Sequence, residues 1–293
     1  MPADGIRSLL GVVTVVCIAV FAGAVPASAA KNPLNKINKG EFAKFINCPI
    51  ASGKACLYGE TLEGEFKLGS KSTPIVNPTI LQGGLAYIGT TTLPIIPPIY
   101  GTEELSAVSQ PIPGGLTGAS ELIGGPASAT AELAGTPNVT AVFLGFGHDT
   151  AVELPIKVHL ENELLGPDCY IGSDAEPIVL KLTDGTTKPP AGVEPMTGKV
   201  GVNEGRDKGR IIAFVNNTLV DNTFAVPAAK GCGTNALLEP VVTAAVNAAV
   251  GLPSEPGVSH AILTGNQFTT QSMWVEKYDK KLLKQKAKEA AGK

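Results

Sequence analysis

Aromatic residues are scarce in this chain, 5% of 293 positions with a single Trp, and the scarcity excludes whole classes of partner. Single-stranded nucleic acid is held by rings interleaved with a basic stripe, whereas this chain has few rings and a formal charge of −3. No nucleic-acid partner is expected. A pore-forming barrel carries aromatic girdles at both membrane interfaces, so the same shortage counts against a porin. Histidine is as sparse: His148, His159 and His260 are scattered and form neither H-E-x-x-H nor H-x-x-E-H. G-x-S-x-G, the turn that exposes a hydrolase serine, is missing. Gln82-Gly83-Gly84-Leu85 is followed by neither Lys nor a helix start, so it reads as a turn rather than a phosphate loop. No catalytic residue, cofactor or metal ligand is therefore assigned from the sequence.

What is plentiful points to short strands. With 34 Gly, 23 Pro and 44% hydrophobic residues, the chain favours turns and strands over long helices. Residues 1–30 read as a secretory signal peptide. Arg7 gives the positive start, Leu9 to Ala22 the apolar core, and Ala27-Ser28-Ala29 or Ser28-Ala29-Ala30 the cleavage site. The rival reading is an uncleaved membrane anchor, and the small-residue site favours cleavage. A secreted β-rich domain is expected at 31–275, with a subdivision near 137 left open, and a lysine-rich tail at 276–293.

Of the five Cys, Cys17 lies inside the signal core. Cys48, Cys56, Cys169 and Cys232 are an even set in an exported chain, which implies two disulfides. Pairing Cys48 with Cys56 and Cys169 with Cys232 keeps each bridge local to its own half. Loop-closure entropy then gives about 2.5 and about 4 kcal/mol. Zinc is disfavoured because neither pair has the tight spacing of a tetrahedral site.

Val152, Leu154, Ile156, Val158 and Leu160 alternate with Glu153, Pro155, Lys157, His159 and Glu161, the pattern of a half-buried strand in which Pro155 implies an edge or a bulge. Further strands are expected over 63–68, 128–135, 178–183, 210–215, 219–226 and 266–275. Residues 93–137 carry Pro94, Pro97, Pro98, Pro111, Pro113 and Pro126, a density at odds with a ladder, so the stretch reads as a long apolar insertion. Asn235 is placed to cap a helix running to about Val250, with Leu238, Val241, Val242, Ala245 and Ala249 as its apolar stripe. The expected fold is mainly β: an antiparallel β-sandwich with one packed helix and a helical C-terminal tail.

The polar clusters are weak pointers. His148 and Asp149 would serve as base and orienter of a hydrolase that lacks its serine motif. Glu161 with Glu163, or Asp174 with Glu176, share faces in a way that solvation explains, and calcium at Asp168, Asp174 and Glu176 lacks EF-hand or β-roll spacing. From Trp274 onward seven Lys oppose Glu276, Asp279 and Glu289, a balance of +4 that leaves −7 for the preceding chain. Such a tail suits either a solvated helix or adhesion to an anionic cell-wall polymer or membrane surface.

Cys48-Pro49, Ala55-Cys56-Leu57-Tyr58-Gly59-Glu60-Thr61, Leu81-Gln82-Gly83-Gly84, Asn162-Glu163-Leu164-Leu165-Gly166-Pro167-Asp168-Cys169-Tyr170-Ile171-Gly172-Ser173 and Gly251-Leu252-Pro253-Ser254 together resemble a group of uncharacterised secreted proteins of actinobacteria. The resemblance implies an exported, disulfide-bonded protein and transfers no active-site residue. The expected function is a secreted, disulfide-stapled, non-enzymatic extracellular or cell-wall-associated binding or structural protein. The alternatives are a carrier of an apolar ligand or a membrane-associated β-barrel, and then an extracellular hydrolase.

Overall fold

A computed structural model of the chain describes residues 39–86, 91–99, 103–116, 125–140, 147 and 149–280. The expected signal peptide, His148 and the tail beyond Lys280 lie outside the described residues. A short helix α1 (Lys39–Ala43) leads into β1 (Ala55–Leu68), β2 (Lys71–Ile75), β3 (Thr79–Leu85), β4 (Thr92–Ile96), β5 (Leu105–Ser106) and β6 (Gln110–Ile112). Next come β7 (Ala127–Leu133), β8 (Asn138–Thr140), β9 (Val152–Glu161), β10 (Tyr170–Ile171) and β11 (Ile178–Leu182). The chain continues through β12 (Val202–Arg206), β13 (Ile211–Asp221), β14 (Ala229–Lys230), α2 (Glu239–Val250), β15 (His260–Gln271) and a helix α3 at 272–280.

Every ladder among the described residues is antiparallel, so the mainly β expectation holds. Strand order runs β12-β13-β15-β1-β3-β4-β8-β9, and β11 lies alongside β9. The circuit then returns to its start. Thr183, just past β11, exchanges both backbone hydrogen bonds with Val220 of β13, at 3.0 and 2.8 Å. A sheet that closes on itself has an inside and an outside, and directly paired residues share a face. Leu154 opposite Leu180, Ile156 opposite Ile178 and Leu133, and Val152 opposite Leu182 and Val139 therefore point inward together. The inward residues of β9 are only 2% to 7% exposed, and each contributes roughly 1.5–3 kcal/mol by burial.

Two bulges set which residues face inward elsewhere. β15 runs regularly, while β1 skips a residue between Thr61 and Glu63, and β13 skips one between Val215 and Asn217, where Asn216 has φ 56°. Before its bulge β1 turns Leu57, Gly59 and Thr61 to the interior; after it, Phe66 and Leu68. An extra residue in one strand shifts its side-chain alternation by one position. The strands approach closely here. A Cβ on Gly64, at φ +147°, would lie 1.9 Å from the Ile262 carbonyl oxygen, and one on Gly265 would lie 1.8 Å from that of Glu60.

The proline-rich stretch departs from expectation, because β4, which starts at Thr92, and then β5 and β6 occupy it ahead of β7, where the strand over 128–135 was expected. Its strands are short, and Pro111 occupies a tolerated site on β6, which among the described residues pairs with β7 alone. Pro155 is likewise at neither an edge nor a bulge. β9 is central, and the Pro155 carbonyl accepts a hydrogen bond from Ala134. In an antiparallel strand a residue's N–H and C=O point to the same side, so the missing donor faces the gap between β8 and β7.

A second apolar cluster covers the outer face of β1, β15 and β13. Phe42 stacks on Tyr278 of α3 at 5.5 Å and meets Phe45 at 6.4 Å, with Ile211, Ala213, Phe268 and Val275 buried nearby in the chain's fold. The expected strand over 266–275 ends at Gln271, and helix α3 takes over. Disulfides join Cys48 to Cys56 and Cys169 to Cys232. These bonds fit an oxidising environment.

Helix α2 is rotated from the expected orientation. Its buried residues are Val246 and Val250, whereas Leu238 and Val241 are exposed. The cause is polar. Asn247 accepts from the Ala229 N–H at 2.7 Å and donates to its carbonyl at 3.1 Å, while Thr243 accepts from Cys232 N–H and donates to Cys232 C=O, both at 3.1 Å. Buried backbone groups require partners, so these side chains turn inward. Asn235 does not cap the helix; its Oδ1 accepts from Leu237 and Leu238 in the preceding turn.

Candidate functional site

The closed circuit surrounds an elongated cavity of about 170 Å³. Its walls come from alternate residues of strands all around the circuit, including Val152 to Leu160 of β9, Phe66 and Leu68 of β1, and Leu219 and Leu263. Val152 and Leu160 are eight residues apart, which gives the wall a length of roughly 26 Å. The space is long, narrow and apolar.

Its polar groups are few and unevenly partnered. Glu60 and Lys71 are the charged residues among the described lining. Glu60 is matched, by Lys44 at 3.3 Å and by a hydrogen bond from Asn266 Nδ2 at 2.9 Å. Lys71 donates to the Gly115 carbonyl at 3.3 Å and has no ion-pair partner among the described residues. Gln267 lines the wall at 8% exposure, and its Oε1 is buried without a hydrogen bond. Asn217, turned inward by the β13 bulge, is 3% exposed.

The rim lies where β2 meets β6. These strands carry no ladder between them and are tied by side chains. Gln110 Oε1 accepts from the Val76 and Asn77 N–H groups at 2.9 and 3.0 Å, and Gln110 Nε2 donates to the Asn77 carbonyl at 2.8 Å. Lys71, Thr73 and Ile75 of β2 and Gln110 and Ile112 of β6 all line the cavity, and neighbouring Val108 is 53% exposed. Beside this region Glu104 precedes the lining residue Leu105. Burial raises the Glu104 carboxyl to about 7, and its Oε1 has no partner among the described residues.

The residues singled out from sequence lie elsewhere. Asp149 pairs with Lys188, and its neighbour His148 lies outside the described residues. His159 stacks on Tyr170 at 4.6 Å on the outer face of β9, with Nδ1 3.9 Å from Glu161. Hydrogen bonds from Ser109 at 2.5 Å and Ser128 at 2.9 Å hold the Glu161 carboxyl below the usual range. Those hydroxyls thus serve the carboxylate rather than the imidazole. His260 Nε2 meets Glu65 at 2.9 Å. Asp174 pairs with Lys157 at 2.9 Å and Glu176 with Lys230 at 2.5 Å, so two of the three acids considered for calcium are matched by lysines. No group of three or more His, Cys, Asp or Glu converges among the described residues. Glu276 and Lys280 of the tail pair with each other on α3.

Compared with known proteins, the chain matches no family model, and no curated protein or solved structure aligns with it significantly.

Proposed function

We propose that the chain is an extracellular, non-enzymatic binding protein that holds an apolar ligand inside its closed sheet. The cavity carries this reading. An apolar space of this size stays dry and accepts apolar guests in other proteins. Leaving about 170 Å³ unfilled forgoes about 4 kcal/mol, at about 24 cal/mol per Å³ of cavity, which a ligand would restore. The two disulfides and the signal-like N-terminus support an extracellular setting. The outer face of β9 favours a watery exterior over a lipid-embedded one, because Glu153, Lys157, His159 and Glu161 point outward while the apolar residues point in, the reverse of a membrane barrel.

Titration with N-phenyl-1-naphthylamine, a neutral fluorophore that brightens in apolar surroundings, tests the reading. Saturable binding at one site per chain is expected, together with its loss in Ala131→Phe, which projects a ring into the cavity from β7. An emission that never saturates, or that is indifferent to this substitution, overturns the proposal.

A further inference from the structure

Resting on the reading of the cavity as an apolar binding site, we infer that its ligand is a single-chain lipid with an anionic head, and that Lys71 selects that head. The first argument is shape. About 170 Å³ spread along roughly 26 Å of wall leaves a mean cross-section of about 6.5 Å² for the centre of a water-sized sphere, the width of one aliphatic chain and too narrow for fused rings or two chains abreast.

The second argument is charge. Of the charged side chains on the described lining, Glu60 is neutralised by Lys44, while among the described residues the Lys71 ammonium bonds the Gly115 carbonyl and no acid. An ammonium has three donors, so two remain for an occupant. A carboxylate or phosphate there forms charge-assisted hydrogen bonds, whereas a hydroxyl or ester head leaves the cation unmatched.

The third argument is position. Lys71 lies on the rim between β2 and β6, half-buried, and is directly paired with buried Leu68. A charged head at this level keeps part of its hydration while the chain runs inward along Phe66, Leu154 and Ile156. At the other end of the inward-facing run of β1, Gly59 pairs with Gln267, a neutral amide. The ligand is thereby oriented head to rim and tail to interior.

The test is displacement of bound N-phenyl-1-naphthylamine at pH 8 by dodecanoate, dodecyl phosphate and dodecanol, from the unmodified protein and from Lys71→Met and Lys71→Arg. The readout is the ratio of anion to alcohol affinity, which cancels any general change in the cavity. Lys71→Met is expected to lower this ratio about five- to tenfold, and Lys71→Arg to retain it. In the unmodified protein the ratio is expected to fall as salt is raised from 20 to 500 mM, a check that needs no variant. The better competitor of dodecanoate and dodecyl phosphate identifies which anionic head the rim takes. A ratio insensitive both to Lys71→Met and to salt, with the fluorophore still bound, overturns the role of Lys71 and leaves the cavity reading standing. Failure of the fluorophore to bind the unmodified protein overturns both.

Discussion

Replacing Glu104 by Gln is expected to stabilise the protein at pH 8 and to leave it unchanged at pH 4. Burial raises the Glu104 carboxyl from its ordinary 4.5 to about 7, and among the described residues its Oε1 has no hydrogen bond to offset the lost hydration. An acid whose folded pKa lies above its unfolded value costs nothing below pH 4.5, where both states are protonated. The penalty grows between 4.5 and 7 and is complete above 7. At about 1.36 kcal/mol per pH unit, the interval of 2.5 sets a ceiling of about 3.4 kcal/mol. Glu104 is only half-buried, so screening by solvent reduces this to about 1–2 kcal/mol. The amide keeps the shape and never ionises. Urea unfolding of both proteins at pH 4, 5.5, 7 and 8, with disulfides intact, gives the difference at each pH and cancels every other titrating group. A difference that is the same at pH 4 and pH 8, or that favours the carboxylate at pH 8, refutes the reasoning.

Cys169→Ser with Cys232→Ser should cost about 4 kcal/mol, since the bridge closes 63 residues, and Cys48→Ser with Cys56→Ser about 2.5 kcal/mol over 8, both read from urea midpoints. Asn247→Ala and Thr243→Val each remove the partners of two backbone groups, those of Ala229 and of Cys232, and each is expected to destabilise by about 2–4 kcal/mol in the same assay. Gly64→Ala drives a methyl into the Ile262 carbonyl and should cost more than about 3 kcal/mol, or prevent folding. Gly125→Ala is its control: φ is +68° but nothing lies within 4 Å, so only the backbone preference of about 1–2 kcal/mol is lost, and thermal melts of the pair separate clash from conformation.

The strand β9 was legible because its alternation is unbroken and both its outward and inward residues behave as the period requires. The cavity it helps line was not. Alternation shows that a face is buried but not whether the opposing faces meet, and closure here depends on Thr183 meeting Val220, 37 residues further along the chain, outside any strong local pattern. The prolines misled for a related reason. They count against long ladders, and the segment instead uses strands of two to five residues, such as β5 and β4. Helix α2 was located correctly and oriented incorrectly, because an apolar stripe was given priority over Thr243 and Asn247. Where buried backbone groups lack sheet partners, satisfying them outweighs hiding Leu238 or Val241. Lys71 carried no signal at all in the sequence. Its interest arises because no described residue supplies its counter-charge, which is a property of the assembled rim.

The paired bulges give the chain a reading frame. Because β15 is regular and both neighbours slip by one residue beside it, the two halves of β1 and of β13 hold opposite parity. Deleting exposed Leu62, the β1 residue that the ladder to β15 skips, would let Glu63 follow Thr61 directly, so Phe66 and Leu68 would still face inward and only the local bend and twist of the bulge would be lost. Leu62 is therefore a spare position: substituting or deleting it should be among the mildest changes in the strand, and natural variation there is expected in both letter and length.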